Sequence, residues 1–324
     1  MISVSHPVWF ERPVPEEYGD EIGPRIEVLG PGNESDPFLG IESATGVIAS
    51  ALRYDGSVMD RALRAVAIVR TGIGYDRVDI AAATSRGIAV CNTPNAPTVS
   101  TAEHAIALLL AVTKGVYASS DRLRRGESDL YSQHEAIELE GKTLGLVGFG
   151  RIARRVSAVA RSLGMEVVAF DPFLAHDADA TTRIDDLDGL LNFADVVSIH
   201  VPLTGETRGL FDQERFAAMK PGSFFINTSR GEVVDQVALL TALATGHLRG
   251  AGLDVTDPEP LPADHPLLHR SDVVVTPHVA SATSEGKRRI FRSALAEVMA
   301  VLDGRLPDHL INPEVWPPKR REAM

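Results

Sequence analysis

The chain has 324 residues, of which 44% are hydrophobic and 23% charged, and its formal net charge is −12 at pH 7. This composition is typical of a globular protein of about two domains and excludes a mainly disordered chain. The acidic surplus argues against nucleic acid and anionic membranes as partners, and the single cysteine, Cys91, excludes an internal disulfide framework and a cysteine-rich zinc site.

The longest strongly apolar run, residues 105–112, is too short for a membrane span, which needs about 20 residues. The first residues show no basic start followed by an apolar stretch, so no secretory signal is predicted. We therefore expect a cytoplasmic protein.

Between the two ends, short apolar runs alternate with helix-like stretches, which predicts successive βα units and a parallel sheet. Prolines cluster near both termini, so we expect irregular structure there. Residues 100–114 are rich in Ala and Leu and predict a buried helix that Ser100 or Thr101 could cap. The strands predicted in the first half are 46–50, 65–69 and 87–91.

The second half begins at Thr143, after a polar stretch at 119–140 that has no clear period. Six strands with intervening helices predict one doubly wound domain, and a last helix at 284–302 leads into a short tail. The predicted strands are 143–147, 166–170, 196–199, 223–226, 250–253 and 272–276.

A glycine-rich turn follows the first of these strands. Gly148, Gly150 and Ala153 match G-x-G-x-x-G/A, which serves a tight turn, close approach of backbone to a pyrophosphate, and close helix–strand packing. Asp171 follows the second strand, where a carboxylate can accept hydrogen bonds from both ribose hydroxyls and would repel a 2′-phosphate. This order predicts a dinucleotide site that prefers NAD; the alternative is a glycine turn in an unrelated α/β protein.

Polar residues follow several later strands, at the edge where open parallel sheets bind ligands; they include His200, Arg230 and Asp254. Histidine suits proton transfer near neutral pH, so His278 is the candidate acid–base group, and Glu259 could orient its imidazole. The planar guanidinium of Arg230 can bind a carboxylate and polarise a neighbouring carbonyl.

Each of these residues also has a simpler interpretation. Arg230 could form a surface salt bridge, His278 could be a core histidine, and the acidic residues within 254–259 could be a solvated loop or a weak cation site. No histidine pair near them has ligand spacing, so no metal site is predicted. His265 and His269 are interpreted as surface residues.

Taken together, these motifs resemble the D-isomer-specific 2-hydroxyacid dehydrogenases, a family that includes phosphoglycerate dehydrogenases and glyoxylate or hydroxypyruvate reductases. The resemblance spans about residues 46–313. It is carried by RTGIGYDRVDIAAATSRGIAVCNTP, STAEHAIALLLA, VGFGRIA with Asp171, HVPLTGETRGLFD, MKPGSFFINTSRGEVVD, AGLDVTDPEP and VVVTPHVASAT.

The resemblance implies that Arg230 binds the substrate, that Glu259 and His278 form the catalytic pair, and that Asp254 lies beside the nicotinamide carboxamide. The backbone of Ile73 and Gly74 is expected to hold the substrate carboxylate; the alternative is a plain turn. The cofactor contacts implied are Gly148, Gly150, Arg151, Ile152, Asp171, His200, Val201, Pro202, Thr207, Thr228, Ser229, Arg230, Asp254 and His278.

The resemblance also implies two doubly wound parallel-sheet domains. A Rossmann cofactor domain at 105–292 is inserted into a flavodoxin-like substrate domain made of 1–104 and 293–324, with the active site in the cleft between them. Relatives are usually dimers through the nucleotide domain, so a homodimer is expected. The tryptophan often found before the nucleotide strand is missing here, and Tyr131 lies nearby.

The sequence defines the group that the substrate carries beyond C2 less well than it defines the cofactor and the reaction. Ser50 stands where phosphoglycerate-specific members tend to carry arginine, and Arg53 either reaches a distal phosphate or carboxylate or is a surface charge. Glu259 argues against formate, because formate-oxidising relatives pair their histidine with glutamine.

The expected function is hydride transfer between NAD and C2 of a small D-2-hydroxy or 2-oxo acid, such as glyoxylate, hydroxypyruvate or a 3-phosphoglycerate-like acid. Two alternatives remain: an NADH-sensing binding protein of the corepressor type, and a dehydrogenase of another small anion such as phosphite.

Overall fold

The computed structural model describes residues 5–173 and 182–318. By its internal contacts the chain divides into two compact units, Met1–Pro97 with Ser284–Met324 (the outer unit) and Thr98–Thr283 (the inner unit). The boundaries lie just before two long helices, each of which belongs wholly to one unit. The sequence prediction placed them a few residues later, at 104/105 and 292/293, within those helices.

The bounds of the elements in the described residues are as follows. The strands are β1 (His6–Phe10), β2 (Ile26–Leu29), β3 (Gly46–Ala49), β4 (Ala67–Arg70), β5 (Ala89–Asn92), β6 (Thr143–Val147), β7 (Glu166–Phe170), β8 (Thr182–Arg183), β9 (Val196–Ile199), β10 (Ser223–Asn227), β11 (Leu248–Leu253) and β12 (Val273–Val275). The helices are α1 (Gly19–Ile22), α2 (Gly56–Arg61), α3 (Ile80–Ser85), α4 (Thr98–Thr113), α5 (Val116–Arg124), α6 (Arg151–Ser162), α7 (Leu187–Phe193), α8 (Gln213–Ala218), α9 (Gln236–Ala244) and α10 (Ser284–Leu302).

The outer unit is built on a parallel sheet with the strand order β2-β1-β3-β4-β5, which is the flavodoxin-like order. The expectation of irregular structure at the N-terminus was wrong, because β1 lies inside this sheet and pairs with β2 and β3. Pro7 is tolerated there: it lacks an N–H, but its carbonyl oxygen still accepts the Thr45 N–H at 2.8 Å.

The last helix returns the chain to the outer unit. Its apolar face, which includes Ala294, Val298 and Val301, belongs to one buried cluster with residues of β1, β3, β4 and β5. A Cβ at Gly46 would lie 2.5 Å from a methyl of Val298, so the glycine in β3 lets α10 approach the sheet closely.

The inner unit is built on a parallel sheet with the order β12-β11-β10-β9-β6-β7-β8. Its β8-β7-β6-β9-β10-β11 part follows the 3-2-1-4-5-6 order of the Rossmann fold, so the predicted fold class is confirmed for both units. The short edge strand β8 was not predicted, because its two residues, Thr182 and Arg183, are polar. The strand order reverses between β6 and β9, which is where this fold binds dinucleotides.

No single helix among the described residues is long and apolar enough to cross a membrane. The pair α4 and α5, bent by 57°, meets the length and composition criteria only when the two helices are taken together. Most of α4 is buried in the inner unit, where Ala105, Leu108 and Leu109 contribute to the core.

Candidate active site

The glycine-rich turn lies between β6 and α6, at the sheet reversal. Gly148 has φ of 88°, and a Cβ there would lie 2.8 Å from the His200 carbonyl oxygen, so both its conformation and its surroundings require glycine. A Cβ at Gly150 would meet nothing within 4 Å, so the space beside this residue, at the N-terminus of α6, is open. Ala153 is fully buried against the sheet. A pyrophosphate fits this turn.

Asp171 is fixed beside the turn by backbone donors. One of its carboxylate oxygens accepts the Phe149 N–H at 2.8 Å, and the other accepts the Phe173 N–H at 2.9 Å. The Gly148 N–H donates to the Phe170 carbonyl at 2.8 Å, which joins the end of β7 to the turn. The acid predicted to bind the ribose therefore lies next to the predicted phosphate site.

Residues 200–207 follow β9 and form the next loop along this edge. The His200 Nε2 lies 3.0 Å from the Ser198 hydroxyl, and burial lowers the pKa of His200 to about 4, so its imidazole is neutral at physiological pH. The Thr207 hydroxyl donates to the Pro202 carbonyl at 2.6 Å and accepts the Thr204 N–H at 2.8 Å. Thr207 therefore shapes this loop as well as being a candidate cofactor contact.

The loop after β10 carries Arg230. Asn227 is almost fully buried, and its amide accepts the Ser229 N–H and donates to the Arg230 carbonyl, each at 2.9 Å. The Ser229 hydroxyl donates to the Ile199 carbonyl at 2.9 Å. Among the described residues the buried Thr228 hydroxyl has no hydrogen-bond partner. Sequence reasoning missed Asn227, although its place at the end of an apolar strand was visible.

Asp254 holds the loop after β12 by hydrogen bonds to its carboxylate. Its carboxylate, 1% exposed, accepts the Thr276 hydroxyl at 2.6 Å and the N–H groups of Val279 and Ala280 at 2.9 and 2.8 Å. His104 on α4 lies 3.3 Å from the same carboxylate. Burial alone would raise the pKa of Asp254, but hydrogen bonds from His104, Thr276 and the backbone outweigh it and lower that pKa. His104 was not predicted to be part of the site.

The predicted carboxylate–imidazole pair is present. The His278 Nδ1 lies 3.0 Å from a Glu259 carboxylate oxygen, and since a carboxylate only accepts, Nδ1 donates and Nε2 is left for proton transfer. His278 has φ of 52°, an uncommon conformation for a non-glycine residue. It is held by the His278 N–H, which lies 2.7 Å from the Asp254 carbonyl and 3.0 Å from that of Thr276.

The loop after β10, which carries Arg230, contacts the loop after β11, which carries Glu259. A Cβ at Gly231 would lie 2.1 Å from the Thr256 carbonyl, so the loop that carries Arg230 packs directly on the backbone that leads to Glu259. The strands before these loops are neighbours, with β11 lying between β10 and β12. The structure therefore brings the loops of Arg230, Glu259 and His278 together at one end of the inner sheet.

In the outer unit, the predicted substrate residues lie in loops at the carboxyl edge of its own sheet. The loop after β4 is held by β5, since the Gly72 N–H donates to the Thr93 hydroxyl and the Asn92 amide donates to the Ile73 carbonyl, both at 2.7 Å. Gly74 follows directly, and Arg53, in the loop after β3, is exposed.

Glu11 was not predicted and binds the loop after β3. Its carboxylate accepts the N–H groups of Ser50, Ala51 and Leu52, the first at 2.6 Å and the last at 3.0 Å. The Tyr54 hydroxyl also donates to this carboxylate at 3.0 Å. Three successive N–H groups of this kind form an anion-binding concavity, and here a side chain of the same chain already fills it.

Among the described residues, no group of three His, Cys, Asp or Glu side chains could hold a metal ion. His265 and His269 instead make local contacts: His265 accepts the Leu267 N–H at 3.3 Å, and a ring nitrogen of His269 lies 3.1 Å from the Ala263 carbonyl.

Comparison with known proteins gives a consistent result. Residues 106–280 match the family model described as D-isomer specific 2-hydroxyacid dehydrogenase, NAD binding domain. A glyoxylate reductase of Thermofilum pendens is 41% identical over 269 residues, which are 81% of this chain and 79% of that protein. A D-3-phosphoglycerate dehydrogenase of Mycobacterium leprae is 40% identical over 290 residues, 89% of this chain but 53% of that protein. The chain therefore spans about half the length of this phosphoglycerate dehydrogenase.

Solved structures agree with the sequence relatives. A Thermus thermophilus protein, 40% identical, superposes with a TM-score of 0.87 and covers 94% of this chain and 99% of its own. The D-lactate dehydrogenase of Aquifex aeolicus, solved with NAD and lactic acid, is 27% identical with a TM-score of 0.83 and the same coverage, 94% and 99%.

Proposed function

Since the chain belongs to the D-isomer-specific 2-hydroxyacid dehydrogenase family and is therefore an NAD-dependent oxidoreductase, we propose that its substrates are small 2-oxo and 2-hydroxy acids, with glyoxylate and hydroxypyruvate as the first candidates. The observation that carries this proposal is the Glu259–His278 pair at 3.0 Å, on the sheet edge that also carries the glycine-rich turn and Arg230. A histidine oriented by a carboxylate can supply the proton that oxo-acid reduction requires.

The inner unit suits NAD by its own geometry. The turn at Gly148 and Gly150 allows the close approach of a pyrophosphate, and Asp171 supplies the acceptor for a ribose diol. NADH, when bound, supplies the hydride. A carboxylate at 171 disfavours a 2′-phosphate by like-charge repulsion, so we expect NADH to be used in preference to NADPH.

In the direction of reduction, His278 is the general acid. Its Nε2–H gives a proton to the carbonyl oxygen as hydride reaches C2, so the product is the 2-hydroxy acid and His278 is left neutral. Glu259 accepts a hydrogen bond from Nδ1 and so orients the imidazole. Arg230 binds the substrate carboxylate and polarises the carbonyl. In oxidation the same Nε2 accepts the proton from the alcohol.

The backbone of Ile73 and Gly74 is proposed as a second anchor for the carboxylate. Its support is the fixed loop after β4, in which the carbonyl groups of Gly72 and Ile73 are already occupied by Thr93 and Asn92. Bare backbone N–H groups at a glycine can approach an anion closely.

Glu11 favours small unphosphorylated acids. It occupies the N–H groups of residues 50–52 and places a negative charge in that loop, which opposes a distal phosphate there. Arg53, the residue after Leu52, carries a positive charge. We propose that it contacts any anionic group that the substrate carries in addition to its first carboxylate.

A panel of 2-oxo acids with NADH and NADPH tests the proposal. Glyoxylate, hydroxypyruvate, pyruvate, branched oxo acids and phosphohydroxypyruvate are compared by loss of the NADH absorbance. We expect glyoxylate or hydroxypyruvate to give the highest kcat/KM, with NADH preferred. Tight NADH binding without turnover of any acid would contradict the proposal and favour a nucleotide sensor.

A homodimer and a cytoplasmic location belong to the same proposal. The chain after α4 exposes large apolar side chains, with Val116 57%, Leu123 66% and Tyr131 97% exposed, and a second copy of the chain would cover them. Cys91 is buried and free, as is typical of proteins from reducing compartments. Sedimentation at several protein concentrations and cell fractionation test these two points.

A further inference from the structure

The loop that carries Glu259 is held by a side chain that the proposed reaction does not use. Gln236 is the first residue of α9, and its amide nitrogen donates to the Asp257 carbonyl while its amide oxygen accepts the Asp257 N–H at 3.1 Å. The side chain thus satisfies both polar backbone groups of one residue, as a neighbouring strand would. Asp257 lies two residues before Glu259.

The same residue is held from a second side. A Cβ at Gly231 would lie 2.7 Å from the Asp257 nitrogen, so the backbone after Arg230 presses directly on it. Gly231 lies in the connection that links β10 to α9, and Gln236 is the first residue of α9. The connection also carries the arginine proposed to bind the substrate, so one stretch of chain contacts the loop of the catalytic carboxylate at both Gly231 and Gln236.

We propose that Gln236 is a positioning residue that sets the place of the Glu259 carboxylate relative to His278. This role rests on the proposed function, because turnover of an oxo acid is one of the two properties by which it is tested. The Glu259 and His278 side chains are 27% and 39% exposed, so water competes for their hydrogen bond. A carboxylate whose backbone is fixed loses less conformational freedom when it pairs, and the pair is populated more fully.

Other charged groups around the pair are left in place by a change at Gln236. Asp254 lies below the His278 backbone, His104 contacts Asp254, and Arg230 lies in the adjoining loop. Gln236 also lines a cavity of about 340 Å³ together with Asp235, Asp257 and His265. Removing the amide therefore enlarges an existing cavity and leaves the packed core intact.

The chain offers a matched control for this position. Gln213 is the first residue of α8 and follows a capping aspartate, Asp212, just as Gln236 follows the capping Asp235. The Gln213 side chain is exposed and makes no hydrogen bond to any residue that the structure describes. Gln236→Ala and Gln213→Ala thus make the same chemical change at equivalent helix positions.

The experiment measures turnover and the titration of His278 in both variants. For Gln236→Ala we expect kcat for the accepted oxo acid to fall roughly tenfold, since a misplaced catalytic group costs rate, with NADH affinity unchanged. The alkaline limb of the kcat profile should move to lower pH, because a loosened carboxylate stabilises the imidazolium less. Gln236→Glu, which keeps an acceptor but loses the donor, should be intermediate. Gln213→Ala should match the wild type.

Imidazole NMR of the protein without substrate, assigned by the loss of the signal in His278→Gln, gives a readout that does not need turnover. The titration midpoint of His278 should move to lower pH in Gln236→Ala only. If the wild type reduces no oxo acid, the proposed function fails while this titration still decides the role of Gln236. Equal titrations and equal kcat profiles in Gln236→Ala and Gln213→Ala would overturn the inference.

Discussion

Asp171 is held by the N–H groups of Phe149 and Phe173 at 2.8 and 2.9 Å. Backbone N–H groups therefore fix the position of the Asp171 carboxylate. Its proposed role as the ribose acceptor follows from its place beside the glycine-rich turn. Asp171, Glu259 and His278 could be predicted at this scale, since each follows a recognisable strand. Glu11 and Gln236 could not, because a side chain that binds the backbone of a distant loop leaves no local pattern in the sequence.

Replacing Asp171 by Ser should reduce the preference for NADH over NADPH by roughly tenfold or more, because the like-charge repulsion with a 2′-phosphate is removed. The measurement is kcat/KM for both cofactors with one accepted oxo acid. Asp171→Asn, which keeps the shape without the charge, is the control and should shift the preference in the same direction. Equal rates with both cofactors in the wild type would contradict this role.

His200 should make the stability of the protein depend on pH in a defined window. Its pKa is about 4 in the folded state and about 6.5 when unfolded, so between these values the unfolded state binds more protons. The contribution of His200 to stability is therefore complete above about pH 6.5 and is lost as the pH falls toward 4, by about 3 kcal/mol. Denaturant unfolding of the wild type and His200→Gln at several pH values measures this, and parallel curves would contradict it.

The catalytic loops follow directly after strands, so the positions of the strands determine the positions of these loops. The loop after β12 has no regular structure, and Asp254 at the end of β11 supplies the acceptor for its Val279 and Ala280 N–H groups. Apart from β8, the strand positions of the inner sheet could be predicted from apolar runs bounded by polar residues. β1 could not, because prolines near the terminus suggested irregular chain, although only Pro7 lies within it and costs the strand a single donor.

Replacing Asp254 by Ala should lower the free energy of unfolding by about 3 kcal/mol, because buried donors then lack an acceptor. Thr276→Val, which removes one of those donors, should cost only about 1 kcal/mol. Denaturant unfolding gives both values. A loss for Asp254→Ala no larger than that for Thr276→Val would show that the loop does not depend on this carboxylate.

At the scale of the whole molecule, the outer unit is assembled from both ends of the chain. Asn312, 1% exposed, accepts the Val90 N–H at 2.8 Å and donates to the Ile88 carbonyl at 2.9 Å, and Leu310 forms an antiparallel bridge with Cys91. This return could be predicted only through the family resemblance, since a single buried amide in a proline-rich tail carries no local signal.

Asn312→Ala should destabilise the outer unit by about 2 to 3 kcal/mol, because it leaves the Val90 N–H in β5 and the Ile88 carbonyl just before β5 unsatisfied. Asn95→Ala changes an exposed asparagine of the same unit and should cost less than about 0.5 kcal/mol. Thermal unfolding compares the two variants. NADH affinity should be equal in both, because the proposed nucleotide contacts lie in the inner unit.

The roles of Arg230 and His278 in the reaction are tested by the rate of NADH oxidation with the preferred oxo acid in wild type, Arg230→Ala and His278→Gln, measured beside NADH affinity. Both variants should lose roughly a hundredfold or more in kcat/KM while still binding NADH, because one lacks the group that holds and polarises the acid and the other lacks the proton donor. An Arg230→Ala or His278→Gln variant with near wild-type turnover of every accepted acid would contradict the proposed role of the residue replaced.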